Sequence, residues 1–203
     1  MKKIILYFLF CVSLFYFKNG LIAGELQIST ENPKYKKAYF AGGCFWCMEE
    51  SFDKVDGVIK SISGYSGGHL KDPKYEDVIY KDTGHVEVVE ITYDPDKTSF
   101  ESLLGVFWKN IDPFDRYGQF CDKGKSYRSV AFFQNKKEKR MIDQSIKELE
   151  NKFNSKIVTL VWKFDKFYKA EEYHQNYYQK NFLKYLAYKN ACQREGILDK
   201  IWN

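Results

Sequence analysis

Apolar and polar positions recur along the chain with two periods, one typical of strands and the other of helices. Brief apolar runs and stretches with a period of two predict strands at residues 36–41, 58–65, 85–93, 128–133 and 157–162. Apolar residues spaced three or four apart predict helices within residues 44–55, 98–108 and 135–153. This order of β-α-β, β-α-β and α-β predicts an α+β fold, a ferredoxin-like two-layer sandwich with an antiparallel sheet and helices on one face.

Helix starts and loops follow from local signals. Thr98 forms a capping box with Glu101, and Asn135 is expected to cap the third helix. Residues 66–84 and 111–127 show no period and are predicted to be long loops, which in compact domains are usually functional. The chain after Trp162 is crowded with Tyr and Phe without a clean period. This predicts an aromatic-rich extension that wraps the domain.

The first residues are typical of an export signal. Two lysines precede an uncharged apolar run at residues 4–17, which is too short to span a bilayer and is followed by the small residues Ala23 and Gly24. We expect a signal peptide at 1–23, a linker at 24–35 and a periplasmic or secreted protein. The alternative is an uncleaved anchor that reaches Ile22.

Charge and composition narrow the class of partner. The formal net charge of the chain is +5, but residues 1–24 carry three lysines and no acid, so +2 remains after cleavage. Such a small excess of positive charge is not typical of a nucleic-acid-binding protein. No membrane association is expected of the mature chain. Aromatic residues make up 18% of the chain, more than a core requires, so some rings are expected to line a recognition surface.

The candidate chemistry lies at a glycine turn between the first predicted strand and helix. Gly42-Gly43 allows a tight turn that presents Cys44 at the amino end of the helix, where free N–H groups and the helix dipole stabilise a thiolate. Cys44 is therefore a candidate nucleophile, and Cys47 lies on the same helical face. Phe45 and Trp46 are adjacent, so one ring is expected to be exposed beside the thiol. The alternatives are two inert buried thiols or half of a zinc site, which would need a second ligand pair.

The surrounding motifs carry a resemblance. The string AGGCFWCMEESFDKVDGV is followed in order by SGYSGG, DPKYEDV, TGHVEVVEITYDP, LLGVFWKNIDPFD, GQFCDKGKSYRS and AEEYHQNYYQKN. This set resembles the A-type peptide methionine sulfoxide reductases and implies a catalytic domain at 36–181 with a C-terminal tail at 182–203. It implies reduction of methionine-(S)-sulfoxide, free or in oxidised exported proteins, through a cysteine sulfenic acid. It also implies a monomer without cofactor that a thioredoxin-like donor reduces.

The resemblance also implies roles for individual residues. Cys44 matches the nucleophile. The other matched positions are Phe45 and Trp46 for the substrate's S-methyl group, Tyr65 and Tyr127 for the sulfoxide oxygen, and Asp122 as a site carboxylate. These roles fit the chemistry of the residue types, since a sulfur-bound methyl group packs well on aromatic faces.

An acid is also needed, because a sulfoxide is a poor electrophile until its oxygen is protonated. The resemblance implies a glutamate in a Y-x-E-V string. Aligned on Tyr75 and Val78, this chain has Asp77 there, one methylene shorter, with Glu76 as the alternative. We therefore expect Asp77 to be the acid, with its pKa raised by burial.

A second thiol is needed for regeneration, and three candidates remain. Cys192 lies in the C-terminal tail, where a flexible arm could reach the sulfenic acid, and is the first choice. Cys47 is the second, and Cys121 is expected to be a buried pocket residue. Two other functions stay open: a C-x-x-C thiol–disulfide oxidoreductase, although none of the four prolines is placed as its fold requires, and an aromatic-rich binding module.

Overall fold

A computed structural model describes residues 34–203, so the expected signal peptide and most of the linker lie outside the described residues. The strands in chain order are β1 (Lys36–Gly42), β2 (Val58–Ser66), β3 (Val86–Tyr93), β4 (Gly118–Gln119), β5 (Asp122–Lys123), β6 (Ser129–Phe133), β7 (Leu160–Lys163) and β8 (Phe167–Lys169). Six of them form one sheet in the order β7-β6-β1-β3-β2-β8, and β4 pairs with β5 in a separate ribbon.

Strand directions follow from the connections. Within the central set β6-β1-β3-β2, each pair of adjacent strands is antiparallel. The outer pair β6 and β7 is parallel, since a helix crosses between them. The expected α+β class is confirmed by this mixed architecture. The ferredoxin-like plan stays a prediction.

The helices are α1 (Phe45–Asp53), α2 (Tyr75–Tyr80), α3 (Phe100–Lys109), α4 (Lys136–Phe153), α5 (Tyr177–Lys180), α6 (Phe182–Ala191) and α7 (Arg194–Trp202). Asn135 caps α4 as expected, since its side chain accepts hydrogen bonds from the backbone N–H groups of Lys137 and Glu138. The cap of α3 is Ser99 rather than Thr98: the Ser99 side chain accepts from Ser102 N at 3.1 Å. No helix among residues 34–203 is long and apolar enough to cross a membrane.

Alternation along the strands builds a core on each face of the sheet. On one face Phe40 of β1 stacks on Phe52 of α1 and Phe107 of α3, with ring centroids 5.5 and 4.9 Å apart. On the other face Tyr39 stacks on Phe164 at 3.7 Å. Burying one face under helices and the other under the chain after β7 fixes the register, because a one-residue slip would exchange the two faces.

Three segments differ from the sequence prediction. Residues 66–84 contain α2, and residues 111–127 contain β4, β5 and a 3₁₀ turn at Lys125–Tyr127. The aromatic extension does not simply wrap the domain: β8 adds to the sheet edge beside β2, and α5 to α7 follow. These elements are too short for a hydrophobic period to show, and tyrosine serves as both a polar and an apolar residue.

Candidate active site

The turn at Gly42-Gly43 places Cys44 where the sequence predicts it. β1 ends at Gly42, and Gly43 has a φ of +78°, a conformation that other residues rarely adopt. A Cβ atom on Gly43 would lie 2.5 Å from Cβ of Gln119. Cys44 is the residue before the first helical residue of α1, and its carbonyl accepts from Cys47 N at 3.2 Å. The predicted strand, turn and helix are confirmed.

Cys44 is buried together with Cys47 and Tyr185 of α6. Four partly buried rings pack around these three residues: Trp46, Tyr177, Tyr178 and Tyr188. Neither ring next to Cys44 is freely exposed. Phe45 is fully buried, and Trp46 is half-buried because Tyr177 stacks on its face at 3.7 Å. The C-terminal helices therefore supply part of the wall around the thiol.

The pKa of Cys44 differs from the expectation. Burial raises it, and the hydrogen bond with Cys47 and the charges of Glu87 and Asp122 act in the same direction. These contributions outweigh the helix dipole. The hydrogen bond from Cys44 lowers the pKa of Cys47 to about 6, with help from the positive charge of Arg194. In this arrangement Cys44 keeps its proton and Cys47 carries the negative charge.

Glu87 of β3 is the carboxyl group that sequence reasoning missed. It is 2% exposed, and its Oε2 accepts a hydrogen bond from Phe45 N at 2.9 Å, which places the group at the amino end of α1 beside Cys44. Burial raises its pKa well above the usual range. A neutral carboxyl group next to the thiol can donate a proton. The sequence contained a signal for this residue. Glu87 shares the helix-facing side of β3 with Val89 and Ile91, and a charged residue is unexpected on a buried face.

The structure contradicts the expectation that burial raises the pKa of Asp77. Its carboxylate lies on the surface of α2, where Oδ1 accepts from Lys81 Nζ at 2.6 Å and Oδ2 from Lys74 N at 3.0 Å. The ion pair with Lys81 lowers the pKa of Asp77, which is the opposite of what a general acid needs. Glu76, the alternative, is exposed on the same short helix. Neither residue is among the charges that act on Cys44.

Tyr65 and Tyr127, the two tyrosines expected to bind the sulfoxide oxygen, have different surroundings. The Tyr65 hydroxyl donates to Glu171 Oε2 at 2.9 Å, so it is not free for a sulfoxide oxygen. Tyr127 instead lies beside Tyr75 at the start of α2, and each of these two hydroxyls shifts the pKa of the other. Burial, followed by the nearby charge of Glu87, raises the pKa of Tyr75 to about 12. The charge of Glu87 raises the pKa of both hydroxyls, of which sequence reasoning found only that of Tyr127.

Asp122 lies in the site as expected. The Tyr188 hydroxyl of α6 donates to its Oδ2 at 2.5 Å, and burial raises its pKa. Its charge acts on Cys44, Glu87 and Tyr127. A thiol, a buried carboxyl and two hydroxyls thus converge, a set suited to attack on an electrophile whose oxygen must be protonated. Among residues 34–203 no group of three or more His, Cys, Asp or Glu side chains could hold a metal ion.

Comparison with known proteins shows the family of the chain. Residues 36–203 match the family model described as peptide methionine sulfoxide reductase. The chain belongs to this family. A peptide methionine sulfoxide reductase MsrA of Bacillus velezensis is 46% identical over 173 residues, which cover 84% of this chain and 98% of that protein. The MsrA of Bacillus subtilis is 45% identical with the same coverage.

Solved structures of the family share the fold. Reduced Mxr1 from Saccharomyces cerevisiae superposes with a TM-score of 0.70 at 31% identity, covering 74% of this chain and 88% of that one. Methionine sulfoxide reductase A of Corynebacterium diphtheriae gives a TM-score of 0.68 at 27% identity, with 75% and 77% covered. The fold of this chain is therefore that of a methionine sulfoxide reductase.

The remaining cysteines of this methionine sulfoxide reductase are paired in an unexpected way. Cys121, in the turn between β4 and β5, forms a disulfide with Cys192 at the end of α6. Cys121 is exposed rather than a buried pocket residue, because it lies in the turn that joins the two-residue strands β4 and β5. Cys192 is buried at a helix end and is not on a flexible arm. Of the candidate resolving thiols, only Cys47 is free.

Proposed function

We propose that this protein reduces methionine sulfoxide to methionine, with Cys44 as the nucleophile. The observation that carries the proposal is the placement of Cys44 and the buried Glu87 carboxyl together at the amino end of α1, joined through the Phe45 N–H. Preference for the S epimer rests on the resemblance of the motifs to A-type enzymes.

The first step transfers the sulfoxide oxygen to Cys44. Glu87 protonates the oxygen while Tyr75 and Tyr127 hold it, and the Cys44 thiol passes its proton to the Cys47 thiolate as its sulfur attacks. The S–O bond of the substrate breaks and an S–O bond forms on Cys44. The products are methionine and a Cys44 sulfenic acid, so the substrate is reduced and the cysteine is oxidised.

A second thiol then resolves the sulfenic acid. Cys47 is one helical turn from Cys44 and shares a buried cluster with it, whereas Cys192 is already bonded to Cys121. Attack of the Cys47 sulfur on the Cys44 sulfenic acid forms a disulfide and releases water. We therefore place the resolving role on Cys47.

A thioredoxin-like dithiol protein is the proposed donor that reduces the final disulfide. Mxr1 has been solved in complex with Trx2, and it superposes on this chain with a TM-score of 0.52 at 26% identity, covering 72% of this chain. Cys47 lines a cleft of about 280 Å³ together with Lys189 and Arg194, and we place the approach of the donor's thiolate at this cleft. The donor and the oxidised target proteins are placed in an exported compartment on the basis of the first 23 residues alone.

The activity is tested in a single turnover. The reduced protein is mixed with the separate S and R epimers of N-acetyl-methionine sulfoxide without any reductant, and the sulfide is quantified by chromatography. We expect about one equivalent of sulfide from the S epimer and a loss of 2 Da from the protein as the disulfide forms. Absence of sulfide from both epimers would refute the proposed activity, and a protein that exchanges disulfides without making sulfide would be a thiol–disulfide oxidoreductase.

The resolving thiol gives a separate prediction. Cys47→Ser is expected to form about one equivalent of sulfide and then to stop when a thioredoxin-like protein is the only reductant, because its sulfenic acid has no partner. The matched variant Cys192→Ser is expected to keep steady-state turnover. The measurement is the burst amplitude and the steady-state rate of each variant. If turnover persists in Cys47→Ser and is lost in Cys192→Ser, the resolving role belongs to Cys192.

A further inference from the structure

His174 is a buried residue of the site to which no step has been assigned. It lies in the turn before α5 and is 2% exposed. Its imidazole is surrounded by aromatic rings whose centroids are 4.2 to 5.8 Å away: Tyr173, Tyr75, Phe45 and Trp46. Three of these rings belong to the candidate active site. The imidazole is thus a polar group inside the aromatic part of the site.

The hydrogen bond at Nδ1 shows which ring nitrogen of His174 carries the proton. Trp46 Nε1–H donates to His174 Nδ1 at 3.2 Å, so Nδ1 carries no proton. Burial lowers the pKa of His174 to about 4, and the ring is therefore neutral near pH 7. A neutral imidazole holds one proton, which is then on Nε2.

The Nε2–H group has no acceptor among residues 34–203, although the atom is buried. A buried donor without a partner is costly, and native structures keep very few of them. The rings around His174 offer only their faces and edges. Because the same rings line the site, an acceptor brought by the substrate would satisfy this N–H group.

We propose that His174 both positions Trp46 and binds substrate: Nδ1 fixes the plane of the Trp46 indole, and Nε2–H donates to an oxygen of the bound substrate. This inference rests on the proposed function, since it takes a sulfoxide compound as the ligand. The acceptor is either the sulfoxide oxygen or a peptide carbonyl of the substrate. Both are neutral oxygen acceptors, and substrates with and without the carbonyl distinguish them.

Two substitutions separate the two nitrogens. The amide oxygen of Asn in His174→Asn lies near the position of Nδ1 and keeps the acceptor for Trp46, but the variant has no donor at Nε2. The amide nitrogen of Gln in His174→Gln lies near Nε2 and keeps the donor, but Trp46 loses its acceptor. His69→Asn is the control because His69 is exposed and outside the site.

We expect kcat/KM of His174→Asn to fall about tenfold, the size of one neutral hydrogen bond, mainly through KM. The Trp46 emission, obtained by subtracting the spectrum of the matching Trp46→Phe protein, should stay unchanged. In His174→Gln that emission should shift while KM changes less than threefold. Equal losses with dimethyl sulfoxide and with N-acetyl-methionine sulfoxide amide indicate the sulfoxide oxygen, and a loss confined to the amide indicates the carbonyl.

Wild-type activity distinguishes failure of this inference from failure of the proposed function. If the wild type makes no sulfide, the proposed function fails and this inference fails with it. If the wild type is active and His174→Asn matches it with both substrates, only the role of His174 is refuted.

A measurement without any His174 substitution keeps the test decisive even if both variants misfold. Cys44→Ser protein labelled with ¹⁵N-histidine should show an Nε2–H resonance that shifts on addition of methionine sulfoxide. No shift at saturating substrate would overturn the proposal.

Discussion

Cys44→Ser is expected to form no sulfide in a single turnover, a loss of at least about 10⁴-fold. The serine hydroxyl is a far weaker nucleophile than a cysteine sulfur and has no accessible sulfenic state, so the oxygen has nowhere to go. The measurement is sulfide release from the S epimer over hours, with protein mass recorded at each time. No disulfide should form between residues 44 and 47.

The control for this variant is the neighbouring thiol. Cys47 should remain reactive toward a small alkylating reagent, because the serine hydroxyl can replace the Cys44 thiol as hydrogen-bond donor and the charges of Arg194 and Lys189 also lower the pKa of Cys47. Retained Cys47 alkylation together with lost sulfide release assigns the effect to chemistry rather than to unfolding. Sulfide release from Cys44→Ser at a tenth of the parental rate or more would show that another residue is the nucleophile.

The strand, turn and helix around Cys44 could be predicted because each rests on a strong local signal. The glycine pair permits the positive φ of Gly43, and the spacing of Phe45, Met48 and Phe52 marks the buried side of α1. The central β-strands were predicted for a similar reason, since their alternation matches burial on two faces of one sheet. Helix α2 has only six residues and gives too little periodicity for detection.

The environment of Asp77 was predicted wrongly because a sequence string shows neighbours along the chain rather than in space. Asp77 has an acidic side chain at the expected place in a motif, but the first turn of α2 points it to the surface and Lys81 pairs with it one turn later. Glu87 looked like the polar half of an alternating strand. Only the packing of α1 on β3 shows that the Glu87 side chain lies at the buried amino end of α1.

The cysteine pairing depends on long-range geometry in the same way. Cys121 and Cys192 are 71 residues apart, and the four cysteines among residues 34–203 allow three pairings that spacing alone does not rank. The tail looked like a mobile arm because tyrosines obscure the helical period of α6. Once α6 packs over Cys44, the end of that helix comes to the turn that carries Cys121, and Cys47 is left as the free thiol.

Glu87→Gln is expected to slow the chemical step by about 10²–10⁴-fold, because glutamine keeps the size and can still accept from Phe45 N but cannot protonate the sulfoxide oxygen. The measurement is the single-turnover rate of sulfide formation under saturating S epimer. Since burial raises the pKa of Glu87, its acid form persists above the usual range, and the parental rate should fall as pH rises through that pKa. In Glu87→Gln this decline with pH should disappear.

Asp77→Asn is the matched control, because it removes a carboxyl group from the same region without touching the site. Its carboxylate already binds Lys81 and has a lowered pKa, so the rate should stay within about threefold of the parent. Glu87→Asp separates chemistry from packing: it keeps the acid but shortens the reach to the Phe45 N–H, and should recover part of the lost rate. A large loss of rate in Asp77→Asn, together with a near-parental rate in Glu87→Gln, would show that Asp77 of α2 is the acid. That result would require α2 to turn inward when substrate binds, since Asp77 lies on its surface in this structure.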